Sequence, residues 1–275
     1  MKYGTTLYYT NEQTDEVINF KPKEVKIDEE YKYHISNPLY KIFSYLSYFG
    51  MAFPMAFAYK LFKNVKFIDI DKLKNQNTGF FVYANHTNKY GDAFLPHLIC
   101  HKKPYTVVNS ANLNIVFWGK FLKMWGALPI PSTINATKNF NDTIEKQIKN
   151  GHPILIYPEA HLWPYYTKIR NFTASSFRFP VKLNKPVFVF TTVYKVKKYG
   201  KKPKIEIYID GPIYPNSSLN PKDAQQELRN NVYNTMLMRS KNSNYEYVKY
   251  IKKDCVWLIF YLEEIIRFLM GFYYA

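Results

Sequence analysis

The sequence has little cysteine, and it lacks both the pattern of a secretory signal peptide and the G-x-S-x-G motif of many hydrolases. Its 275 residues include two cysteines, Cys100 and Cys255, which excludes a disulfide scaffold, and no C-x-x-C spacing exists for metal or redox chemistry. This composition fits a reducing compartment best. The N-terminal sequence MKYGTTLYYTNEQTDEV has no apolar core or small-residue cleavage site, so no secretory signal peptide is expected. No G-x-S-x-G motif is present, which disfavours a hydrolase.

Acidic residues and arginine are also scarce. There are 21 Asp and Glu residues against 38 Lys and Arg, a net charge of +17, and only 5 of the basic residues are arginines. Residues 1–38 carry a charge of −2, so the rest of the chain carries +19. Such a surface attracts anionic lipid, nucleic acid or acidic cofactors. The basic residues are dispersed and no nucleic-acid-reading motif is recognisable, so no nucleic-acid partner is expected.

No apolar run is long enough for an unambiguous membrane span, but one stretch approaches it. Residues 42–59 are 18 residues without charge, IFSYLSYFGMAFPMAFAY, and as a helix they would reach roughly 27 Å. A bilayer core is about 30 Å thick. Pro54 predicts a kink or break and therefore two short helices. These helices lie in or dip into one leaflet, with Lys41, Lys60 and Lys63 at the headgroups, or they form a buried hairpin on a soluble core.

The chain is rich in apolar and aromatic residues, at 47% and 19% of the sequence. This content excludes a disordered chain and allows a buried core. Amphipathic aromatics suit membrane interfaces, although A+T-rich codon usage produces the same bias. Short apolar runs alternate with helical stretches at 92–100, 114–125 and 137–150, which predicts an α/β domain with a mostly parallel central sheet and flanking helices. The predicted strands are 65–70, 79–84, 105–109, 127–130, 153–157, 186–194 and 204–209.

Three further segments are distinctive. Asn220 followed by Pro221 predicts the start of a helix whose apolar residues are spaced by four, namely Ala224, Leu228, Val232 and Met236. Residues 195–204 hold six lysines and predict either a solvated hairpin tip or a contact with lipid headgroups. Residues 255–275 are apolar except for three charges on one face, which predicts an amphipathic helix that lies at a membrane interface or packs on the core.

Two polar patches follow predicted strands, where ligands bind in α/β sheets. After the strand at 79–84 come Asn85, His86, Thr87 and, five residues beyond the histidine, Asp92. A neutral imidazole removes a proton from a hydroxyl near pH 7, and a carboxylate on its other nitrogen fixes the tautomer. Alternatively, Asp92 caps the helix starting at Ala93, and the histidine is an ordinary loop residue. Because a five-residue separation suits no regular helix, the loop must be irregular, and Gly91 is expected to supply a positive φ.

The second patch follows the strand at 153–157. It contains Glu159, His161, Lys168 and Arg170 among three large aromatic residues. A guanidinium offers a bidentate fork for phosphate. Lys168 and Arg170 are therefore candidate anion ligands, or else they belong to a solvated loop.

The sequence motifs in these two patches resemble the signature motifs of the glycerolipid acyltransferase superfamily. Asn85-His86 with a following carboxylate resembles its N-H-x4-D signature, and Pro158-Glu159 resembles the start of its P-E-G-T-R-S block. Three further blocks agree in order over residues 79–213: Gly126 to Ile130, Lys185-Pro186-Val187, and Asp210-Gly211-Pro212-Ile213 after the last strand. The sequence departs from the pattern in the His-x5-Asp spacing and in the loss of the G-T-R-S arginine.

The resemblance implies acyl transfer from an acyl thioester, acyl-CoA or acyl-ACP, to a hydroxyl of a lysophospholipid or glycerol-phosphate acceptor in phospholipid synthesis. His86 is then the general base and Asp92 orients it. Asn85, Thr87, Glu159, His161, Lys168 and Arg170 are the candidate substrate-binding residues. No metal and no cofactor are implied, because the acyl donor is a co-substrate. A non-catalytic lipid-binding or scaffold protein on the same fold is the alternative.

Four segments follow from these observations. They are a polar N-terminal arm (1–38), a membrane-associated helical segment (39–62), an α/β acyltransferase domain (63–240) and a C-terminal amphipathic interfacial helix (241–275). The expected location is the cytoplasmic face of a membrane with an anionic surface, through peripheral or monotopic attachment or a single short span.

Overall fold

The computed structural model describes residues 1–18 and 23–253. The strands are β1 (Thr5–Tyr9), β2 (Val65–Ile68), β3 (Phe81–Ala84), β4 (Tyr105–Val108), β5 (Ala127–Pro129), β6 (Ile154–Ile156), β7 (Val187–Lys195), β8 (Lys204–Ile213) and β9 (Val248–Lys252). The α-helices are α1 (Pro38–Ser47), α2 (Phe53–Lys63), α3 (Gly91–Phe94), α4 (Gly119–Met124), α5 (Ile134–Lys149), α6 (Arg178–Leu183) and α7 (Pro221–Ser240).

Seven strands form the central sheet in the order β2-β8-β7-β3-β6-β4-β5. The five strands from β7 to β5 are parallel, whereas β8 runs antiparallel to β7 and carries β2 beside it in parallel. Every residue of β3 and β6 is buried, which explains why both are continuous apolar runs without alternation. The prediction of a mostly parallel α/β sheet with flanking helices is confirmed.

Helices cover both faces of this sheet. On one face, α5 and α7 pack against β3, β6 and β7, and the buried residues of α7 are the four predicted from their spacing, Ala224, Leu228, Val232 and Met236. Asn220 caps this helix by accepting a hydrogen bond from the Asp223 backbone N–H at 3.0 Å. On the other face, Tyr59 of α2 and Leu95 after α3 pack against alternate residues of the same strands.

The helical segment consists of α1 and α2, joined by a π-helical turn at Tyr48–Ala52. Pro54 lies in the first turn of α2, where its missing N–H needs no partner. The π-helical turn therefore interrupts the regular α-helix just before Pro54, but the backbone stays helical throughout, so the prediction of a break into two separate helices is wrong. One side of the segment packs on the domain through Tyr48 and Ala52, which contact Trp125 in a small cluster. No helix within residues 1–18 and 23–253 combines the length and the apolar character needed to cross a bilayer.

Several elements differ from the sequence predictions. The predicted helix 92–100 becomes α3 followed by a 3₁₀ turn at Leu95–Leu98, because Pro96 cannot donate to a continuing α-helix. The predicted helix 114–125 is reduced to α4, because Phe117 adopts a left-handed φ of 67°. The Asp210-Gly211-Pro212-Ile213 block lies inside β8 rather than after the last strand.

The two ends of the described chain also differ from their predictions. The polar arm contributes β1, which pairs in parallel with β9 in a separate two-stranded sheet. Residues 248–252 are therefore a strand, although they fall in the segment 241–275 assigned to a helix. The apolar stretch 255–275, on which that helical prediction rests, lies outside the described residues.

Candidate active site

The two polar patches meet at one edge of the sheet. Strands β3 and β6 are parallel neighbours, with Phe81 opposite Ile154 and Tyr83 opposite Ile156. The residues that follow these strands therefore emerge side by side at the carboxyl edge. This edge is where α/β sheets place their ligand sites.

The first patch forms a close histidine–carboxylate pair. His86 Nδ1 lies 2.8 Å from Asp92 Oδ2, and the same oxygen accepts the backbone N–H of Asn88 at 3.0 Å. Because an ionised carboxylate oxygen only accepts hydrogen bonds, this contact selects the tautomer of the neutral ring that carries its proton on Nδ1. The Asp92 side chain is 8% exposed and that of His86 is 22% exposed. Asp92 thus holds the ring from within the protein, while part of the His86 side chain remains exposed to solvent.

Burial raises the pKa of Asp92 above its ordinary value, and the hydrogen bonds from His86 and from the Asn88 backbone oppose that rise. Asp92 does not cap the helix, because it lies inside the first turn of α3 and turns its carboxylate back toward His86. The capping interpretation of Asp92 is therefore wrong.

An irregular loop accommodates the five residues between the pair, as predicted, but the expected positive φ at Gly91 is wrong. Gly91 begins α3 with helical backbone. It is a glycine for reasons of space, because a Cβ there would collide with the Asn88 side-chain amide. That amide fixes the loop, since Asn88 Oδ1 accepts from the Gly91 N–H at 3.1 Å and from the Tyr59 hydroxyl at 2.6 Å.

The sequence reasoning missed Tyr157, which is the first residue after β6. Its ring stacks on His86 at a centroid distance of 4.4 Å and an interplanar angle of 27°. Its hydroxyl donates to the Asp92 carbonyl at 2.7 Å. Burial raises the pKa of Tyr157 well above its ordinary value, so the hydroxyl stays protonated and keeps donating. The sequence feature that could have identified Tyr157 is its position at the end of a predicted strand, directly before Pro158-Glu159.

Asn85 and Thr87 are buried and bonded to the protein. The Asn85 amide donates to the Thr192 carbonyl at 3.0 Å and accepts from its N–H at 2.8 Å, which ties the end of β3 to β7. The Thr87 hydroxyl donates to the Tyr166 carbonyl at 2.9 Å. Both side chains hold the backbone on either side of His86 in place, and substrate contact by them stays a prediction.

Glu159 links the two patches. Its Oε2 accepts the His86 backbone N–H at 3.0 Å and the Arg170 guanidinium at 3.1 Å, while Oε1 accepts the Arg170 backbone N–H at 2.9 Å. The Arg170 guanidinium also donates to the His161 carbonyl and lies 4.8 Å from the centre of the Trp163 ring. Glu159 therefore fixes the backbone of His86 and joins it to Arg170.

Arg170 does not fit its predicted role as an anion ligand, because its side chain is 0% exposed and is neutralised by Glu159. Lys168 is the exposed cation of the two predicted ligands. His161 is partly exposed, with Nδ1 3.6 Å from Glu16 Oε1. Burial lowers the pKa of His161, and Glu16 opposes that effect.

The polar N-terminal arm (residues 1–38) packs on the second patch. The Trp163 indole N–H donates to the Asp15 carbonyl at 2.9 Å, and the Tyr166 hydroxyl donates to Glu12 Oε1 at 3.2 Å. The local charge beside the second patch is thus carboxylate-rich, although the chain as a whole is strongly basic.

A histidine that is hydrogen-bonded to a buried carboxylate, at the carboxyl edge of a mostly parallel α/β sheet, has the geometry needed to remove a proton from a hydroxyl. Residues 64–195 match the family model Acyltransferase. Residues 64–195 therefore contain an acyltransferase domain, as the resemblance to the glycerolipid acyltransferase superfamily predicts.

One similar solved structure is that of the 1-acyl-sn-glycerophosphate (LPA) acyltransferase PlsC from Thermotoga maritima. The match has a TM-score of 0.50 and 15% sequence identity, and it covers 75% of this chain and 95% of that chain. At this identity the similarity shows a shared fold. No curated protein matches the sequence.

Proposed function

We propose that the protein transfers an acyl group from an acyl thioester to a hydroxyl of a lysophospholipid or glycerol-phosphate acceptor in phospholipid synthesis. The observation that supports this most directly is the 2.8 Å contact between His86 Nδ1 and Asp92 Oδ2, on a histidine whose side chain is partly exposed. The Acyltransferase match over residues 64–195 supports the reaction class.

The reaction proceeds through one proton cycle at His86. Nε2 removes the proton of the acceptor hydroxyl as its oxygen attacks the thioester carbonyl, forming the new C–O bond. Collapse of the tetrahedral intermediate breaks the C–S bond, and the imidazolium returns the proton to the departing thiolate. Asp92 stabilises the imidazolium between these steps, while Tyr157 restrains the plane of the ring.

The acceptor is bound from the exposed side of the second patch. Lys168 is free of the buried network and suits an anionic headgroup, whereas Arg170 acts through Glu159 as a positioning residue. His161 lies beside the arm, with Nδ1 3.6 Å from Glu16 Oε1, and it remains partly exposed. We assign it to the acceptor side of the site.

The proposed location is the cytoplasmic face of an anionic membrane. The outward side of α1, the π-helical turn and α2 is an exposed apolar surface whose residues include Leu39, Ile42, Phe43, Leu46, Phe49, Phe57, Leu61 and Phe62. Leu39 is 75% exposed and Phe62 is 86% exposed. Contiguous apolar surface of this kind marks an interaction site, and Lys41, Lys60 and Lys63 on the same segment suit anionic headgroups.

The test is mass spectrometry of the products formed from a panel of lysophospholipid and glycerol-phosphate acceptors with acyl-CoA and acyl-ACP donors. We expect an acylated product with the wild type and a loss of rate of about 10²-fold or more for His86→Ala, the usual contribution of a general base. His34→Ala, at an exposed histidine, is the matched control and should keep full activity.

Asp92→Asn should lose activity while its thermal unfolding stays close to that of the wild type. Full turnover by a purified His86→Ala protein would refute the mechanism. Binding of lysolipids without turnover by the wild type, with every donor, would favour the scaffold alternative.

A further inference from the structure

The tip of the β7–β8 hairpin forms a second basic site, separate from the histidine and its carboxylate. An open cavity of about 650 Å³ lies between this tip, the first residues of the chain and Tyr247. We name it the hairpin pocket. Its volume lies within the range of about 300–1,000 Å³ that is typical of small-molecule sites.

The pocket is lined by cations. Lys2, Lys197, Lys201 and Lys202 contribute to its wall, and no acidic residue of the described chain lines it. Lys63 lies nearby, since burial and then the charges of Lys202 and Lys197 lower its pKa. Like charges held this close repel one another, so an anion with several negative charges is the ligand that this wall favours.

Aromatic rings complete the wall. Tyr199 is 77% exposed and Tyr3 is 50% exposed, so both offer ring surface to a ligand. Tyr3 stacks on Tyr245 at 5.8 Å and lies 5.9 Å from Tyr247, which gives the pocket a fixed aromatic side. Flat bases stack on such rings, whereas inorganic phosphate and lipid headgroups gain nothing from them.

Packed rings connect the pocket with the catalytic loop. The Tyr247 ring lies 4.5 Å from that of Tyr165, which lies 5.2 Å from that of Tyr194. The Tyr194 hydroxyl and the Tyr165 backbone N–H both donate to the carbonyl of Thr87, next to the catalytic histidine, at 2.9 and 2.8 Å. A ligand seated in the pocket is therefore two ring contacts from the loop that carries the general base.

We propose that the hairpin pocket binds the phosphorylated nucleotide end of a coenzyme A thioester, whose pantetheine arm then extends toward His86. The inference rests on the proposed function, because it assigns a binding site to the acyl donor. Several phosphates match the lysines, an adenine base matches the exposed tyrosines, and the packed rings join the pocket wall to the loop that carries His86. The pocket thus selects a nucleotide thioester over a carrier protein, which would present no base to Tyr3 and Tyr199.

The test is isothermal titration calorimetry of the full chain with coenzyme A, and with pantetheine as the probe that lacks the nucleotide. The variant replaces three pocket lysines at once, Lys197→Ala, Lys201→Ala and Lys202→Ala. An exposed ion pair contributes up to roughly fivefold in affinity, so the variant should bind coenzyme A up to about a hundredfold more weakly at low ionic strength. Tyr199→Ala should also weaken coenzyme A binding and leave pantetheine binding unchanged.

The matched control removes the same charge from exposed lysines elsewhere, two on helices and one directly after α7, with Lys138→Ala, Lys222→Ala and Lys241→Ala, and should change affinity less than threefold. In the acyl transfer assay the pocket variant should raise the KM for acyl-CoA and leave kcat unchanged. An equal loss in both triple variants would show a general charge effect and overturn the proposal.

Two further results would overturn it. One is unchanged coenzyme A affinity in the pocket variant together with weaker binding to phosphatidylserine-containing vesicles, which would assign the hairpin to lipid headgroups. The other is turnover with acyl-ACP alone. Coenzyme A binding that depends on the lysines, without acyl transfer from any donor, would instead refute the proposed function and leave the pocket assignment standing.

Discussion

Replacing Arg170 with methionine tests whether this buried cation organises the site or binds a ligand. The guanidinium is 0% exposed and its partner Glu159 is 2% exposed, so the variant leaves a buried carboxylate without its counter-charge. Removing one partner of a buried ion pair typically costs about 3–5 kcal/mol. In the variant, the Glu159 carboxylate still accepts hydrogen bonds from the backbone N–H groups of His86 and of residue 170. The expected loss in the free energy of unfolding is therefore near the lower end of this range, at about 3 kcal/mol.

The assay is equilibrium urea denaturation followed by tryptophan fluorescence, to which Trp163 beside the guanidinium is a local reporter. Lys168→Met is the matched control, because it removes an exposed cation two residues earlier and should change stability by less than about 0.5 kcal/mol. Lys168→Met should instead raise the KM for an anionic acceptor.

The reasoning is refuted if Arg170→Met unfolds like the wild type and raises the acceptor KM as Lys168→Met does. That outcome would mean that the guanidinium faces the ligand rather than Glu159.

Two further predictions concern regions away from the catalytic pair. Burial lowers the pKa of His97 to about 4, below the usual 6.5, so the unfolded chain binds the extra proton between these values and stability falls as the pH drops through this window. Urea denaturation should show a loss of about 2 kcal/mol between pH 7 and pH 5 that His97→Gln does not share, and parallel pH profiles would contradict this assignment. In liposome sedimentation, Leu61→Ser with Phe62→Ser should weaken membrane binding by at least about tenfold, since each buried apolar side chain contributes about 1.5–3 kcal/mol. Met238→Ser is the exposed apolar control on α7, and equal partitioning of both variants would count against the α1–α2 surface.

Local patterns predicted the parts of the fold that local forces determine. The apolar runs indicate the strands of a mostly parallel sheet, and the four-residue spacing in α7 indicates the buried face of that helix; both predictions are confirmed. The parallel direction of β3 and β6 then places His86 and Glu159 at one edge without further information.

The remaining features depend on contacts between distant residues, which a local pattern does not encode. The guanidinium of Arg170 has the chemistry of an anion ligand. It is buried because the folded chain packs it against Glu159 and Trp163, and the local sequence does not show this packing. Strand β1 carries no apolar alternation of its own that would distinguish it from a polar arm. It exists because β9, more than 230 residues later, supplies its hydrogen-bonding edge.

The pairing of β1 with β9 has a consequence for any shortened form of the enzyme. Tyr9 and Tyr250, one from each of these strands, enclose the Trp163 ring at 4.9 and 5.2 Å, and the Tyr250 hydroxyl donates to the Pro164 carbonyl at 2.8 Å. Both tyrosines lie outside the matched residues 64–195, although Trp163 lies within them. A fragment trimmed to those residues would retain β3 and the loop with His86, and it would lose both rings that hold Trp163 in place.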